Sequence, residues 1–258
     1  MMKLFDLTGQ VAVVTGASSG IGADAARAYT EAGAAVALLA RRKEKLDYLA
    51  NEINSSGGKA VAIKCDVSDE ESVKAAFDEV VKNFSRVDIL FNNAGVAALG
   101  SVDEMDKQVW DKVMSVNSTG PYLVAKYAVK QMKTQKYGRI VNVTSVNAIL
   151  GDKNPALVRH AYNASKGAVI GLTKGMASSL MPYGITVNAV GPGLFETEMT
   201  ASTLFKSEEF LKMYGMLCPA GRPGQKGELN GPILFFSSPA CSYVTGQIMF
   251  VDGGFTGV

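Results

Sequence analysis

The chain has 258 residues and little of what metal and thiol chemistry needs. It carries one histidine, His160, and three cysteines, Cys65, Cys218 and Cys241, far apart and without a C-x-x-C pair. A zinc or iron–sulfur site would need more ligands than these supply without carboxylates, so the expectation is no metal and buried free thiols. One histidine also limits catalytic triads. Nothing in the sequence brings Ser145 and His160 together, and His160 reads as a loop or pocket-rim residue. Charge of one sign is scarce as well. Lys and Arg total 26 against 24 Asp and Glu, a net charge of +2, and no basic run has interleaved aromatics. That argues against a nucleic-acid partner. No apolar run approaches the ~18 residues of a membrane span, and the opening MMKLFDLTGQ does not read as a signal peptide. The expectation is a soluble, cytoplasmic protein with no membrane partner.

What is present is apolar and regular. Hydrophobic residues make up 47% of the chain, enough to bury the core of one large domain. Short β-branched runs alternate with longer helical stretches. VAVVT (11–15), AAVALLA (34–40), KAVAIKCD (59–66), DILFNNAG (88–95), GRIVNVTS (138–145), GITVNAVGPG (184–193) and GQIMFVDGG (246–254) read as strands. Seven apolar strands separated by helices predict one α/β domain over residues 1–258, a doubly wound parallel sheet of Rossmann type. Residues 68–71, Ser-Asp-Glu-Glu, read as a capping box with Ser68 opening a helix. Residues 105–136 and 162–182 read as long amphipathic helices, with faces suited to a second subunit.

Directly after the first strand comes TGASSGIG, residues 15–22, and then a helix. Gly16, Gly20 and Gly22 allow a tight turn, and with Ser18, Ser19 and Ile21 they set a backbone cradle at a helix N-terminus, where free N–H groups meet an anion. An Asp or Glu at the end of the second strand would hold the ribose in an NAD-binding protein. Ala40 stands there instead, followed by Arg41 and Arg42. Arginine presents a planar fork of donors suited to phosphate. The predicted cofactor is therefore NADP(H), with Arg41 on the 2′-phosphate and Arg42 beside it.

Two Tyr-x-x-x-Lys pairs occur, Tyr122–Lys126 and Tyr162–Lys166, and spacing alone does not choose between them. The surrounding signals do. TGASSGIG, CDV (65–67), NNAG (92–95), Asn117, Ser145, YNASK (162–166), PG (192–193) and VDGG (251–254) come in the order seen in short-chain dehydrogenases/reductases, and the chain resembles that family over essentially its whole length. The resemblance implies that Asn117, Ser145, Tyr162 and Lys166 form the catalytic set. It implies further that Asp66 and Val67 edge the adenine, that Asn93, Ala94 and Gly95 line the cofactor, and that Pro192, Gly193 and Thr197 flank the nicotinamide. It also implies a homotetramer and a small-molecule ketone or secondary alcohol as substrate.

The chemistry agrees. Hydride transfer between C4 of nicotinamide and a carbinol carbon needs a proton moved at the oxygen. A free tyrosine, with a pKa near ~10, is a poor base at neutral pH. Residues four apart share a helix face, so Lys166 stands beside Tyr162 and should favour its phenolate, while Ser145 holds the substrate oxygen. In the family, the asparagine at position 117 holds a water that connects the lysine to solvent. Tyr122–Lys126 has no strand-ending serine before it and reads as a surface or interface pair.

Two segments bear on the substrate. The spacing of 17 between Ser145 and Tyr162 is longer than is usual in the family, so VNAILGDKNPALVRHA forms a longer loop that brings Arg159 or His160 to the pocket rim. Residues 194–217 occupy the position of the substrate lid and include Leu194, Phe195, Met199, Leu204, Phe205, Phe210, Met213, Tyr214 and Met216. Such a lid suits a bulky apolar ketone such as a hydroxysteroid or bile acid. The chain also resembles gluconate 5-dehydrogenases, through PGLFETEM and CPAGRPG, and a sugar acid would use Arg159. A non-catalytic NADP-sensing regulator is the remote alternative; the full Asn, Ser, Tyr, Lys set argues for an enzyme.

Overall fold

The β-branched runs form strands because a parallel sheet between two helix layers buries both of its faces. A computed structural model describes residues 3–201 and 204–257. In chain order the main elements are β1 (Val11–Thr15), α1 (Gly20–Glu31), β2 (Ala35–Ala40), α2 (Lys43–Ser55), β3 (Ala60–Lys64), α3 (Glu70–Phe84), β4 (Ile89–Asn92), α4 (Lys107–Met114), α5 (Gly120–Gln135), β5 (Gly138–Val143), α6 (His160–Leu180), β6 (Ile185–Pro192), α7 (Glu198–Ala201), α8 (Glu208–Leu217), α9 (Asn230–Ser237) and β7 (Ile248–Val251). The strands make one parallel sheet in the order β3-β2-β1-β4-β5-β6-β7, the expected seven-stranded Rossmann-type α/β fold in a single domain.

Every residue of β1, β4, β5 and β6 is buried, whereas the edge strands β3 and β7 are partly open. One core packs α1, α2 and α9 on one face of the sheet, through residues such as Tyr29, Leu46 and Phe236. The other packs α3, α5 and α6 on the opposite face, through Phe77, Met132 and Val187. Strand order reverses direction between β1 and β4. That switch point leaves a crevice beyond the carboxyl ends of the strands, where ligands bind in such sheets. Buried Thr15 ties the crevice together. Its hydroxyl accepts the main-chain N–H groups of Asn93 and Ala94 at 2.9 and 3.1 Å.

Two local expectations change. Residues 105–136 are not one uniform helix. A wider, π-type turn at Ser115–Thr119 separates α4 from α5, with the Gly120 N–H bonded to the Ser115 carbonyl. Pro121 is the physical reason: it lacks a donor and its ring would press on the carbonyl one turn earlier, and a wider turn relieves both problems. The helix at 70–84 is capped by Asp69 rather than Ser68, its carboxylate accepting from the Glu71 N–H at 3.1 Å. Ser68 is already taken, because Asp66 accepts both its hydroxyl and its N–H, at 2.6 and 3.0 Å. The carboxylate one residue on is free to cap.

Candidate active site

A cleft of about 410 Å³ opens above the switch point. Its walls carry Gly16, Ser18, Ser19, Gly20 and Ile21 from the first loop, Arg41 and Arg42 after β2, Asp66 and Val67 after β3, and Asn93, Ala94 and Gly95 after β4. Ser145, Tyr162, Lys166, Pro192, Gly193 and Thr197 complete them. Of the predicted catalytic and cofactor residues, Gly22 and Asn117 lie behind the wall, and Arg159 and His160, expected at the pocket rim, do not line it. Gly22 acts from there: a Cβ on it would stand 2.4 Å from the Gly16 carbonyl oxygen, and one on Gly16, at φ +66°, would stand 2.9 Å from the Ala94 Cα. The loop thus lies tight against β4, and the free N–H groups of α1 face the cleft, which fits the phosphates of a dinucleotide.

At the end of β2 the two arginines divide. Arg42 is held by the loop: its Nη2 donates to the hydroxyls of Ser18 at 2.8 Å and Ser19 at 3.0 Å. Its Nη1 donates to Glu198 in α7 at 2.7 Å, and Lys45 donates to the other oxygen of the same carboxylate. These two cations, more than any other cause, hold the Glu198 carboxyl down at about 2. Arg41 is exposed and makes no hydrogen bond among the described residues. Its charge assists the Ser68 hydroxyl in keeping Asp66 below the usual carboxylate range. Arg42, rather than Arg41, is therefore the arginine whose fork is fixed in place. Lys45 and Glu198 were not singled out in the sequence; the signal available for the lysine was the basic cluster 41–45, and Glu198 comes from far along the chain.

The chemical end is assembled by a buried polar ladder. The Asn92 amide donates to Asn142 at 3.1 Å, and the Asn142 amide donates to Thr173 of α6 at 2.9 Å. Thr144 donates to the Lys166 carbonyl at 2.8 Å. These bonds fix α6 against the end of β5, so Tyr162 and Lys166 stand over Ser145. The Ser145 hydroxyl lies near enough to the Tyr162 phenol to favour its ionised form and accepts from the Asn147 N–H at 3.2 Å. Lys166 is buried, lies 5.7 Å from the centre of the Tyr162 ring, and donates to the Val143 carbonyl at 2.8 Å. Asn117, in the wide turn, accepts from the Val96 N–H at 2.8 Å and donates to the Val96 carbonyl and to Ser165. A Cβ on Gly95 would sit 3.4 Å from its Oδ1 and 3.6 Å from Lys166 Nζ, which puts these groups at one point.

Proton affinities here differ from the expected pattern. Burial pushes the Tyr162 phenol up, and the Ser145 hydroxyl and then the Arg159 charge pull it partly back. Burial pulls Lys166 down to about 8. The lysine is not the cation that favours the phenolate in the protein alone, because desolvation costs its own charge as well.

The other Tyr-x-x-x-Lys pair, Tyr122–Lys126, has a structural role. Tyr122 is half exposed, and Lys126 bridges to Glu70 at 2.5 Å, tying α5 to α3. The long loop bulges outward, with residues 153–156 exposed, and leaves Ser145 beside Tyr162. Asn163 anchors it through the carbonyls of Asn147 and Leu150. His160 accepts from the Val102 N–H at 2.9 Å and serves as a tie between loops. Arg159 pairs with Asp152 at 3.0 Å, its side chain largely buried, and Asp152 also takes the Asn147 amide. In the lid, Phe195 and Tyr214 are buried against the body, Phe195 on Gly224 and Tyr214 stacked on Phe255 at 5.2 Å. Met213 and Met216 are exposed. Ser202, Thr203 and the Met199 side chain lie outside the described residues. Phe195 and Tyr214 thus pack the lid down, and Phe195 also lines the cleft. Cys65, Cys218 and Cys241 are buried free thiols, and no described helix is long and apolar enough to cross a membrane.

Residues 16–256 match a family model described as enoyl-(acyl carrier protein) reductase. The chain is 39% identical over 253 residues to gluconate 5-dehydrogenase of Gluconobacter oxydans, covering 98% of this chain and 97% of that protein. It is 39% identical over 250 residues to a 3-oxoacyl-[acyl-carrier-protein] reductase of Synechocystis, covering 96% and 97%. A crystal structure of a gluconate 5-dehydrogenase from Burkholderia cenocepacia in complex with NADP and tartrate superposes with a TM-score of 0.94 at 38% identity, over 99% of this chain and 98% of that one.

Proposed function

The chain belongs to the short-chain dehydrogenase/reductase family, and from that premise we propose that it interconverts a ketone and a secondary alcohol on a short, polyhydroxylated carboxylic acid of the gluconate type, with NADP(H). It is an oxidoreductase acting on CH–OH groups. One observation supports the choice of substrate: Arg159, paired with Asp152 behind the cleft wall, is the cation whose charge acts on the Tyr162 phenol, and a substrate carboxylate there would share it with Asp152. The gluconate 5-dehydrogenases among its relatives, one of them holding a hydroxy-acid anion, support the same reading. They favour this sugar-acid alternative over a hydroxysteroid.

When bound, nicotinamide supplies or accepts the hydride. Ser145 holds the substrate oxygen through its hydroxyl. Tyr162 gives that oxygen a proton on reduction and takes it back on oxidation; its raised proton affinity keeps it an acid at neutral pH. Lys166 supplies positive charge under the ring while anchored on Val143. Asn117 is a positioning residue, clamping Val96 and Ser165 around Lys166. Gly16, Ser18, Ser19, Gly20 and Ile21 cradle the pyrophosphate, with Gly22 packed behind them. Arg42 reads the 2′-phosphate from its anchorage on Ser18 and Ser19, with Arg41 on the rim. Asp66, Val67, Asn93, Ala94 and Gly95 line the adenosine half, and Pro192, Gly193 and Thr197 the nicotinamide half. A homotetramer in the cytoplasm belongs to the same proposal, and sedimentation velocity checks the assembly.

A second reading, 3-oxoacyl thioester reduction, is supported by the Synechocystis relative. NADPH oxidation with keto-gluconates, 3-oxoacyl thioesters and ketosteroids decides among the three. The keto acid should turn over best, and a preference for either of the others would overturn the substrate proposal.

A further inference from the structure

We propose that Glu198 is an internal competitor for the 2′-phosphate subsite: a lid carboxylate that holds the cations meant for the cofactor's phosphate and so sets how strongly NADP(H) is preferred. This rests on the NADP(H) reading above. The carboxylate lies on the cleft wall, with one oxygen 2.7 Å from Arg42 Nη1 and the other 2.5 Å from Lys45 Nζ. Arg42 is the arginine whose other Nη is fixed by the two serines of the glycine loop, and it stands two residues after Ala40, where a ribose-binding acid is missing. An anion reached from 156 residues away therefore satisfies the donors that a phosphate monoester would take.

The placement is that of a displaceable group. The three side chains are 42%, 44% and 47% exposed, so the pairs are screened and each is weak. Glu198 opens the four-residue α7, next to Thr197, whose Cβ and Cγ2 would each lie 3.4 Å from a Cβ on Gly20. The acid thus hangs from the lid across the phosphate loop. A dianionic phosphate offers more charge and a third oxygen to the same fork. On its arrival Arg42 and Lys45 exchange one anion for another, and the lid loses its tie to α2. NADH carries no such phosphate and leaves the bridge intact. Glu198 is then a specificity residue acting against the cofactor it faces, and it links lid position to which cofactor is bound.

The test is fluorescence titration of the whole protein with NADPH and with NADH, for wild type, Glu198→Gln and Glu198→Ala, with thermal unfolding as a check on folding. Removal of two exposed pairs should tighten NADPH binding about 3- to 30-fold. NADH binding should stay within about twofold, since its contacts are uncharged at this subsite. Unchanged or weaker NADPH binding in both folded variants would overturn the proposal, as would equal tightening of both cofactors. The cofactor reading fails separately: wild type would then bind NADH as tightly as NADPH, whereas a selective gain for NADPH in Glu198→Gln would still support the competition.

Discussion

Replacing Arg159 by methionine isolates the charge on which the substrate proposal depends. The methionine keeps an apolar stem of similar reach and removes the guanidinium. A hydrogen bond to a charged group contributes about 1.5–3 kcal/mol, so kcat/KM for a keto-gluconate should fall roughly 10- to 150-fold. A neutral polyhydroxy ketone of similar length should lose far less. A second readout follows from the same geometry. The Arg159 charge pulls the Tyr162 phenol down, so its loss raises the phenol further. Alcohol oxidation needs the phenolate and rises with pH; in the variant that rise should move to higher pH for acid and neutral substrates alike. Asp152 loses its ion-pair partner in the variant, so Asp152→Asn with Arg159→Met serves as the control for local disturbance. Steady-state kinetics on the acid and its neutral analogue, across pH, is the assay. Equal losses on both substrates in a protein of unchanged melting temperature would refute a carboxylate contact.

Other outcomes follow from the same packing. Thr15→Val removes the acceptor of two part-buried N–H groups at the switch point, and should cost about 1–3 kcal/mol in urea unfolding; a loss under about 0.5 kcal/mol would show that the clamp is replaceable. Lys166, at about 8, should give ketone reduction an alkaline limb near that pH, because the ammonium disappears above it. Lys166→Arg should move that limb upward, and a flat profile through pH ~10 would detach the lysine from the chemistry.

The sheet was legible because buried parallel strands leave continuous apolar runs; all seven strands are present, although DILFNNAG and GQIMFVDGG each contain a strand of only four residues. The strand ends were overdrawn at Asn93-Ala94-Gly95 and at Thr144-Ser145 for a physical reason. Those residues leave the ladder to line the cleft, and sequence does not separate the end of hydrogen bonding from the end of an extended chain. Tyr162, Lys166 and Ser145 were readable from spacing in context. Two kinds of feature were not. The wide turn at Asn117 depends on how Pro121 relieves its clash, which hydrophobic periodicity does not record. The contacts of Arg42 with Glu198, and of Arg159 with Asp152, depend on how loops fold back, and charge pairing across a cleft leaves no periodic trace. The lid shows the opposite error. Its apolar residues suggested an apolar substrate, yet Phe195 and Tyr214 are used to hold the lid on the body.

The central claim is that the Tyr162 proton and a hydride from NADPH reduce a ketone held by Ser145. Single-turnover oxidation of NADPH by a keto-gluconate, compared between wild type and Tyr162→Phe at matched cofactor saturation, tests it most directly. General acid catalysis is worth about 10²- to 10⁴-fold, so the variant should bind NADPH normally and slow by at least about 100-fold. A Tyr162→Phe protein that transferred hydride within a few fold of the wild-type rate would contradict the account.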